Sequence, residues 1–297
     1  MPEEADGEKN VRQPLCWSLV LAMLLGLAPA VCWAQSNHLT RKHHPWGQCS
    51  PGAWKVVRVV TEDLDETGGV CHKSTTETKT TLIEINEEGV TLQVAPILEL
   101  AGRTFGSPPQ RIKQGFHGEA ANDNLKLSER GTAELTIEDH KYPCRIAQTE
   151  LIGPNGTTTT SIYYSDSVAP YVLRRESTTT NAEDNSSQGE TKVQVVAFDM
   201  PCEVLSVLKS AAQVETVQKH AGGTTSTLTF VSPDVPGGVI CNYSKESDKQ
   251  GRLVRRSMLK LVSYGFESED ERASHLGRKH AARYHKVPYQ QTLKDEP

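Results

Sequence analysis

A strand–turn–strand pattern occurs twice in this sequence, at a constant offset of 67 residues. The first copy is Ser161–Leu173 and the second is Leu228–Ile240. Each has a threonine-rich extended run that ends in an aromatic residue, then a turn rich in serine, aspartate and proline, then a second extended run. Tyr163 of the first copy matches Phe230 of the second. β-branched and aromatic runs separated by such turns are typical of β-hairpins. The pattern predicts an internally duplicated β architecture.

The suspected repeats extend over residues 135–199 and 200–264. Within them Cys144 and Cys202 both follow a proline and both precede an Ile or Val two residues on. Their offset is 58 rather than 67 residues, so this alignment requires about nine inserted residues in the second copy. We expect the insertion in Leu205–Gly223, a stretch that includes the helix-compatible patch Val207–Val214.

Residues 1–34 are predicted to be a secretory signal peptide. An apolar run from Leu15 to Val31 follows two cations, and the small residue Ala34 offers a cleavage site. One alternative is an uncleaved membrane anchor through residues 15–34, because an apolar run of roughly 20 residues is long enough to span a bilayer. Another is lipidation at Cys32, which the residues before the cysteine do not favour. The chain is therefore expected to be secreted or periplasmic, or anchored to a membrane.

Residues 35–50 are polar and basic without periodicity, and we interpret them as a linker. His43, His44 and Cys49 are of types that bind metals, but no second closely spaced ligand pair follows, as a zinc site requires. The sequence therefore predicts a solvated linker and no metal site.

Residues 51–265 are predicted to be all-β. Trp54–Thr61 is β-branched and predicts a strand. Asp63–Gly69 shares positions with an EF-hand calcium loop, but its twelfth place is Ser74 and its flanks are strand-like, so we expect a hairpin turn. Residues 96–130 give no clear assignment. Residues 266–297 are acidic and then basic, which predicts a disordered charged tail.

Five cysteines follow residue 34, an odd number that leaves at least one unpaired. Five in a chain of this length are too few to replace a hydrophobic core. If the two repeats are adjacent, Cys144 and Cys202 could form a disulfide, and this pair is the candidate bridge. The alternative is two buried free thiols that pack as small hydrophobic groups.

The sequence contains none of the compact catalytic motifs, such as a nucleophile elbow, a zinc-protease helix or a phosphate-binding loop. Its net charge of −5 is mild and the charges are interspersed, which excludes the basic patch expected of a nucleic-acid-binding protein. We expect a protein that is not an enzyme and holds no cofactor.

Long strands, short turns and little helical periodicity favour a large curved antiparallel sheet or a half-open barrel. The matched runs Tyr163–Leu173 and Phe230–Ile240 resemble exported bacterial proteins related to the LolA/LolB lipoprotein carriers. The chain also resembles uncharacterised secreted proteins of planctomycete-type bacteria. The carrier resemblance implies a lipid or acyl chain bound on the concave face of the sheet.

Two functions are therefore expected. One is an exported binding or interaction protein of the cell envelope with a filled core, whose partner is unknown. The other is a periplasmic carrier of a lipid. The aromatic content of 6% favours the first, because ligand pockets are usually lined by apolar and aromatic side chains.

Overall fold

The computed structural model describes residues 39–100, 103–120, 125–153, 156–184 and 186–266. The predicted signal peptide and all of the predicted charged tail except Phe266 lie outside these residues.

The described residues form one antiparallel sheet of fourteen strands, preceded by a short 3-10 helix at Arg41–His43. The predicted all-β class is confirmed. The strands are β1 (Trp54–Leu64), β2 (Val70–Ile85), β3 (Val90–Leu100), β4 (Arg103–Gly106), β5 (Gln110–Gln114), β6 (Leu125–Ile137), β7 (His140–Gly153), β8 (Gly156–Tyr164), β9 (Val172–Asn181), β10 (Ser187–Val204), β11 (Val207–His220), β12 (Gly223–Val231), β13 (Val239–Asp248) and β14 (Leu253–Gly265).

Strands β6 to β14 form a meander in which each strand pairs with the next along the chain. The order continues from β14 to β1, β2, β3 and β4, and β5 also pairs with β3. The first strand and the last are therefore neighbours, with Trp54 of β1 opposite Gly265 of β14. Residues 96–130, which the sequence left unassigned, supply the end of β3, all of β4 and β5, and the start of β6.

Threonine-rich strands suit this sheet because β-branched side chains pack well on a pleated surface and their hydroxyls pair across strands. The side-chain oxygens of Thr158 and Thr179 lie 2.9 Å apart between β8 and β9. Those of Thr160 and Ser177 lie 2.8 Å apart on the same two strands. Between β12 and β13, Thr227 and Ser244 make an equivalent contact at 2.9 Å.

The 67-residue offset holds in the strand pairing over four consecutive strands. Gly156 lies opposite Asn181, and 67 residues on Gly223 lies opposite Asp248. Equivalent register relates β7–β8 to β11–β12. It relates β6–β7 to β10–β11 near the turn, at Ala133–Ile137 and Met200–Val204, and further from the turn a second irregularity in β10 shifts the pairing by one residue. The matched ranges are 125–181 and 192–248, which begin earlier than the predicted 135–199 and 200–264. Duplication of a four-strand unit is our interpretation of this match.

The nine-residue insertion was wrong. The β6–β7 turn has Glu138 and Asp139 in the left-handed region (φ 48° and 64°), and the β10–β11 turn has Leu205 and Ser206 there (φ 49° and 68°). The offset between these turns is again 67, so the second copy contains no added segment. The helix-compatible patch Val207–Val214 is part of strand β11, because pairing on both edges outweighs its local helix propensity.

The sheet is strongly curved, and its inner face is crossed by other parts of the chain. The segment after β5 lies against β9, where Arg175 Nη2 donates to the carbonyl oxygen of His117 at 2.7 Å. In the sheet order these strands stand far apart, so the sheet must bend to bring them together. The largest buried cluster includes residues of β1, β10, β11, β13 and β14. The described residues contain no helix long and apolar enough to cross a membrane.

Candidate functional site

The segment before β1 packs against the sheet, and the linker interpretation of residues 35–50 is wrong for residues 39–50. Leu39 is buried with Tyr164 and Ile162 of β8, whereas Trp46 is buried with Leu82 of β2. The segment therefore crosses from one part of the sheet to another. The sequence did not indicate that this segment packs against the sheet, because its apolar anchors Leu39 and Trp46 are widely spaced among histidines and lysines.

Local hydrogen bonds give this segment its shape. Thr40 and His43 form a reciprocal capping box around the 3-10 helix, with the backbone N–H of Thr40 donating to His43 Nδ1 at 3.0 Å. Arg41 Nε donates to the carbonyl oxygen of Gly47 at 2.8 Å and closes the following turn. A Cβ on Gly47 would lie 1.6 Å from the carbonyl oxygen of Arg41, so this close approach requires glycine.

Asp166, in the β8–β9 loop, fastens the segment to the sheet. Its carboxylate lies 3.1 Å from His43 Nε2 and accepts from Arg145 on β7 and from Lys42 Nζ at 3.4 Å. Desolvation is the largest single influence on the pKa of Asp166 and acts to raise it. The interactions with His43, Arg145 and Lys42 together outweigh desolvation, so the pKa of Asp166 is lowered. Burial lowers the pKa of His43 despite this carboxylate. Below the cluster, the His43 ring packs edge-on against Tyr164 at 5.2 Å.

A second group of charges lies where the segment after β5 meets β9. It contains His44, His117, Glu119 and Arg175. His44 Nδ1 accepts from the backbone N–H of Trp46 at 3.2 Å. Burial lowers the pKa of His44 to about 4, and the positive charge of Arg175 acts in the same direction. His44 is therefore neutral at physiological pH.

Glu119 carries the negative charge of this group. Burial acts to raise its pKa, but a hydrogen bond and the positive charge of His117 outweigh it, so the carboxyl pKa lies below its usual value. Burial also lowers the pKa of Arg175, and the charge of Glu119 opposes that effect. Removing either Glu119 or Arg175 would leave the opposite charge with less compensation. The group thus holds the segment after β5 against β9.

Lys55 on β1 is a third unusual cation. Burial lowers its pKa to about 8. Its ammonium donates to the carbonyl oxygen of Gly237 at 3.2 Å and lies 5.5 Å from the ring centroid of Trp46. Lysines with a lowered pKa can act as nucleophiles, but this amine is engaged between the N-terminal segment and the β12–β13 loop.

The structure does not bring the two candidate bridge residues together. Cys144 on β7 packs with Ile137, Leu173 and Val195, and its thiol contacts the carbonyl oxygen of Tyr142 at 3.5 Å. Cys202 packs against a different cluster, the one that contains Cys241. All five cysteines of the described residues are free thiols. By the 67-residue offset the counterpart of Cys144 is Ala211, so the equivalence of Cys144 and Cys202 was wrong.

Cys202 instead lies beside Cys241. Burial, followed by the charge and hydrogen bonding of the neighbouring Cys202 thiol, raises the pKa of Cys241 to about 11. The Cys241 thiol is consequently protonated at neutral pH. Sequence spacing could not identify this pair, because the two cysteines lie on β10 and β13, which are not adjacent in the sheet.

The two histidines considered as metal ligands in the sequence have partners within the protein. His43 and His44 are engaged in the contacts above, and within the described ranges no three potential ligands converge on one point. The expected hairpin turn at Asp63–Gly69 joins β1 to β2. There Asp65 Oδ1 accepts from the backbone N–H groups of Thr67 and Gly69, both at 2.9 Å.

Two cavities are formed by described residues, most of them of polar types. The larger, of about 250 Å³, is a groove on β6–β8 lined by Lys126, Ser128, Arg130, Gln148, Glu150 and Thr159. The smaller, of about 60 Å³, lies between the β2–β3 turn and the end of β5. Neither has the apolar lining that an acyl chain requires.

No protein-family model and no curated protein matches this chain. Two solved structures do. One is a candidate exported protein with a YmcC-like fold from Bacteroides fragilis, with 9% identity and a TM-score of 0.30 over 72% of this chain and 97% of that chain. The other is a candidate lipoprotein from Parabacteroides distasonis, with 10% identity and a TM-score of 0.28 over 77% of this chain and 100% of that chain. Neither is described as a LolA/LolB carrier, and similarity this distant carries no argument about function.

Proposed function

We propose that this protein is an exported, non-enzymatic binding or interaction protein of the cell envelope. Export rests on the apolar run Leu15–Val31 and the small residue Ala34 that follows it. The interaction role rests on one observation, namely that the inner face of the curved sheet is occupied at one end by the protein's own N-terminal segment.

The occupied inner face is the argument against the carrier alternative. Leu39 and Trp46 fill places on the sheet that an acyl chain would need. Several titratable groups that might have suggested catalysis are used in the same packing. His43 faces Asp166, and His44 contacts the N-terminal segment and the end of β5. Partners are therefore expected on the outer surface and at the ends of the sheet.

A native mass spectrum of protein purified from its own host tests the proposal. We expect a chain that begins near Gln35 and carries no bound lipid. An intact Met1 on cytoplasmic protein would contradict export. A lipid that remains bound after mild purification would contradict the filled inner face and support the carrier.

A further inference from the structure

The turn between β10 and β11 exposes three large apolar side chains within four residues. Leu205 is 48% exposed, Val207 58% and Leu208 72%. Singly exposed apolar residues are common on protein surfaces, but contiguous ones mark sites of interaction. We call residues 205–208 the apolar tip.

The first copy of the repeat supplies an internal control for this tip. The same left-handed turn there consists of Glu138, Asp139, His140 and Lys141, so the fold does not require apolar residues at these places. Leu205 has a φ of 49°, a conformation that leucine adopts at an energetic cost and that Gly, Asn or Asp adopt more readily. An exposed leucine at a strained position contributes little to folding, which indicates a role outside it.

The apolar tip lies at the same end of the sheet as the start of the N-terminal segment. Lys209, next to the tip, pairs with Asp234 of the β12–β13 loop at 2.7 Å. The equivalent β8–β9 loop holds Lys42 and His43 through Asp166. Only seven residues separate the described Leu39 from the apolar run that ends at Val31. The eight Cα–Cα steps between them span at most about 28 Å.

Were the N-terminal run kept as a membrane anchor, the end of the sheet that carries the tip would therefore lie next to the membrane. Phe266, which follows β14 at this same end, is 55% exposed and contacts Tyr264 edge-on at 5.9 Å. Tyrosine is enriched at membrane–water interfaces, and phenylalanine is found on the membrane-facing side of interfacial helices.

We propose that the apolar tip inserts into the surface of a phospholipid bilayer. The tip is a hairpin turn that lines neither of the two cavities described above, so a fluid hydrocarbon layer suits it better than a rigid partner surface. The charges next to it are the exposed Glu203 and the Lys209–Asp234 pair, so no excess of positive charge favours anionic lipid. A zwitterionic bilayer is the predicted occupant. The inference rests on the proposed envelope location.

The test uses the exported protein with tryptophan at the tip, Leu208→Trp. Ile152→Trp is the matched control, since Ile152 is 52% exposed and lies at the opposite end of the sheet. Each variant is mixed with phosphatidylcholine vesicles that contain brominated chains, and the wild-type signal is subtracted. We expect quenching and a blue shift for Leu208→Trp and neither for Ile152→Trp. Equal signals from the two variants, or none from the tip, would overturn the proposal.

A second measurement covers the case in which the tryptophan variant misfolds. The double substitution Leu205→Glu and Leu208→Glu should reduce the rate of vesicle association at least tenfold, whether or not an N-terminal anchor is retained. Association at the wild-type rate would also overturn the proposal. Recovery of the protein from the cytoplasm would contradict the proposed envelope location but would leave a positive vesicle result in place. Failure of the proposed function and failure of membrane insertion can therefore be told apart.

Discussion

Lowering the pH should destabilise this protein through His44, before most of its carboxylates become protonated. His44 is buried beside Phe116, with ring centroids 6.2 Å apart, and its pKa in the fold is about 4 rather than the ordinary 6.5. The neutral imidazole is therefore favoured in the folded state. Its contribution to stability is complete above pH 6.5 and is lost as the pH falls towards 4, because the unfolded chain binds the proton first.

The size of the effect follows from the two pKa values. A gap from 6.5 to about 4, at about 1.4 kcal/mol for each pH unit, gives about 3 kcal/mol. This is a large part of the roughly 5–15 kcal/mol by which most domains are stable. His43, whose pKa burial also lowers, adds to the loss in the same direction.

Urea unfolding followed by tryptophan fluorescence, from about pH 7 to about pH 4, measures this dependence. The variant His44→Asn keeps an acceptor for the Trp46 N–H but has no imidazole to protonate. We expect it to be less stable at neutral pH and to lose about 3 kcal/mol less than the wild type over the acid range. His72→Asn, at an exposed position on β2, is the matched control and should follow the wild type. If His44→Asn lost as much stability on acidification as the wild type, the argument from burial would be wrong.

Three further outcomes are expected. Mild oxidation by oxidised glutathione, followed by peptide mapping without reduction, should link Cys202 to Cys241, and a Cys144–Cys202 peptide would contradict the packing described above. Gly223→Ala should destabilise the protein by more than about 1 kcal/mol in chemical denaturation, because a Cβ there would lie 1.9 Å from a backbone carbonyl oxygen and the φ of 152° is unfavourable for alanine. Trp46→Ala should cost about 3–5 kcal/mol in the same assay, and a loss below about 1 kcal/mol would show that the N-terminal segment is not part of the core.

The strands and their hairpins could be predicted because their signals are local. Trp54–Thr61 lies in β1, the turn after Asp63 joins two strands, and the offset at Tyr163 and Phe230 appears in the sheet register. Applying that offset strictly to the turn at residues 138–139 would have identified the turn at 205–206. Matching Cys144 with Cys202 required an inserted segment instead, and this alignment missed the turn at residues 205–206.

The packing of the inner face could not be predicted, since it depends on the curvature of the sheet. Arg175 contacts His117, in the segment after β5, only because strands that are distant in the sheet order are brought together. No spacing of residues in the sequence indicates that contact. The same applies to Cys202 and Cys241. The N-terminal segment was missed for a different reason: two apolar anchors among polar residues resemble a solvated linker.

The pairing of β1 with β14 has a consequence for how the chain is made. Synthesis proceeds from the N-terminus, so β1 emerges from the ribosome about 200 residues before its partner. Until β14 is complete, one edge of β1 lacks its backbone partner, as does the growing edge of the meander from β6 onward. Contacts of such long sequence separation form slowly. Any interruption of synthesis would thus release a chain in which two further strand edges are unpaired and able to aggregate. Protection of those edges, more than the stability of the finished core, would limit the yield of folded protein.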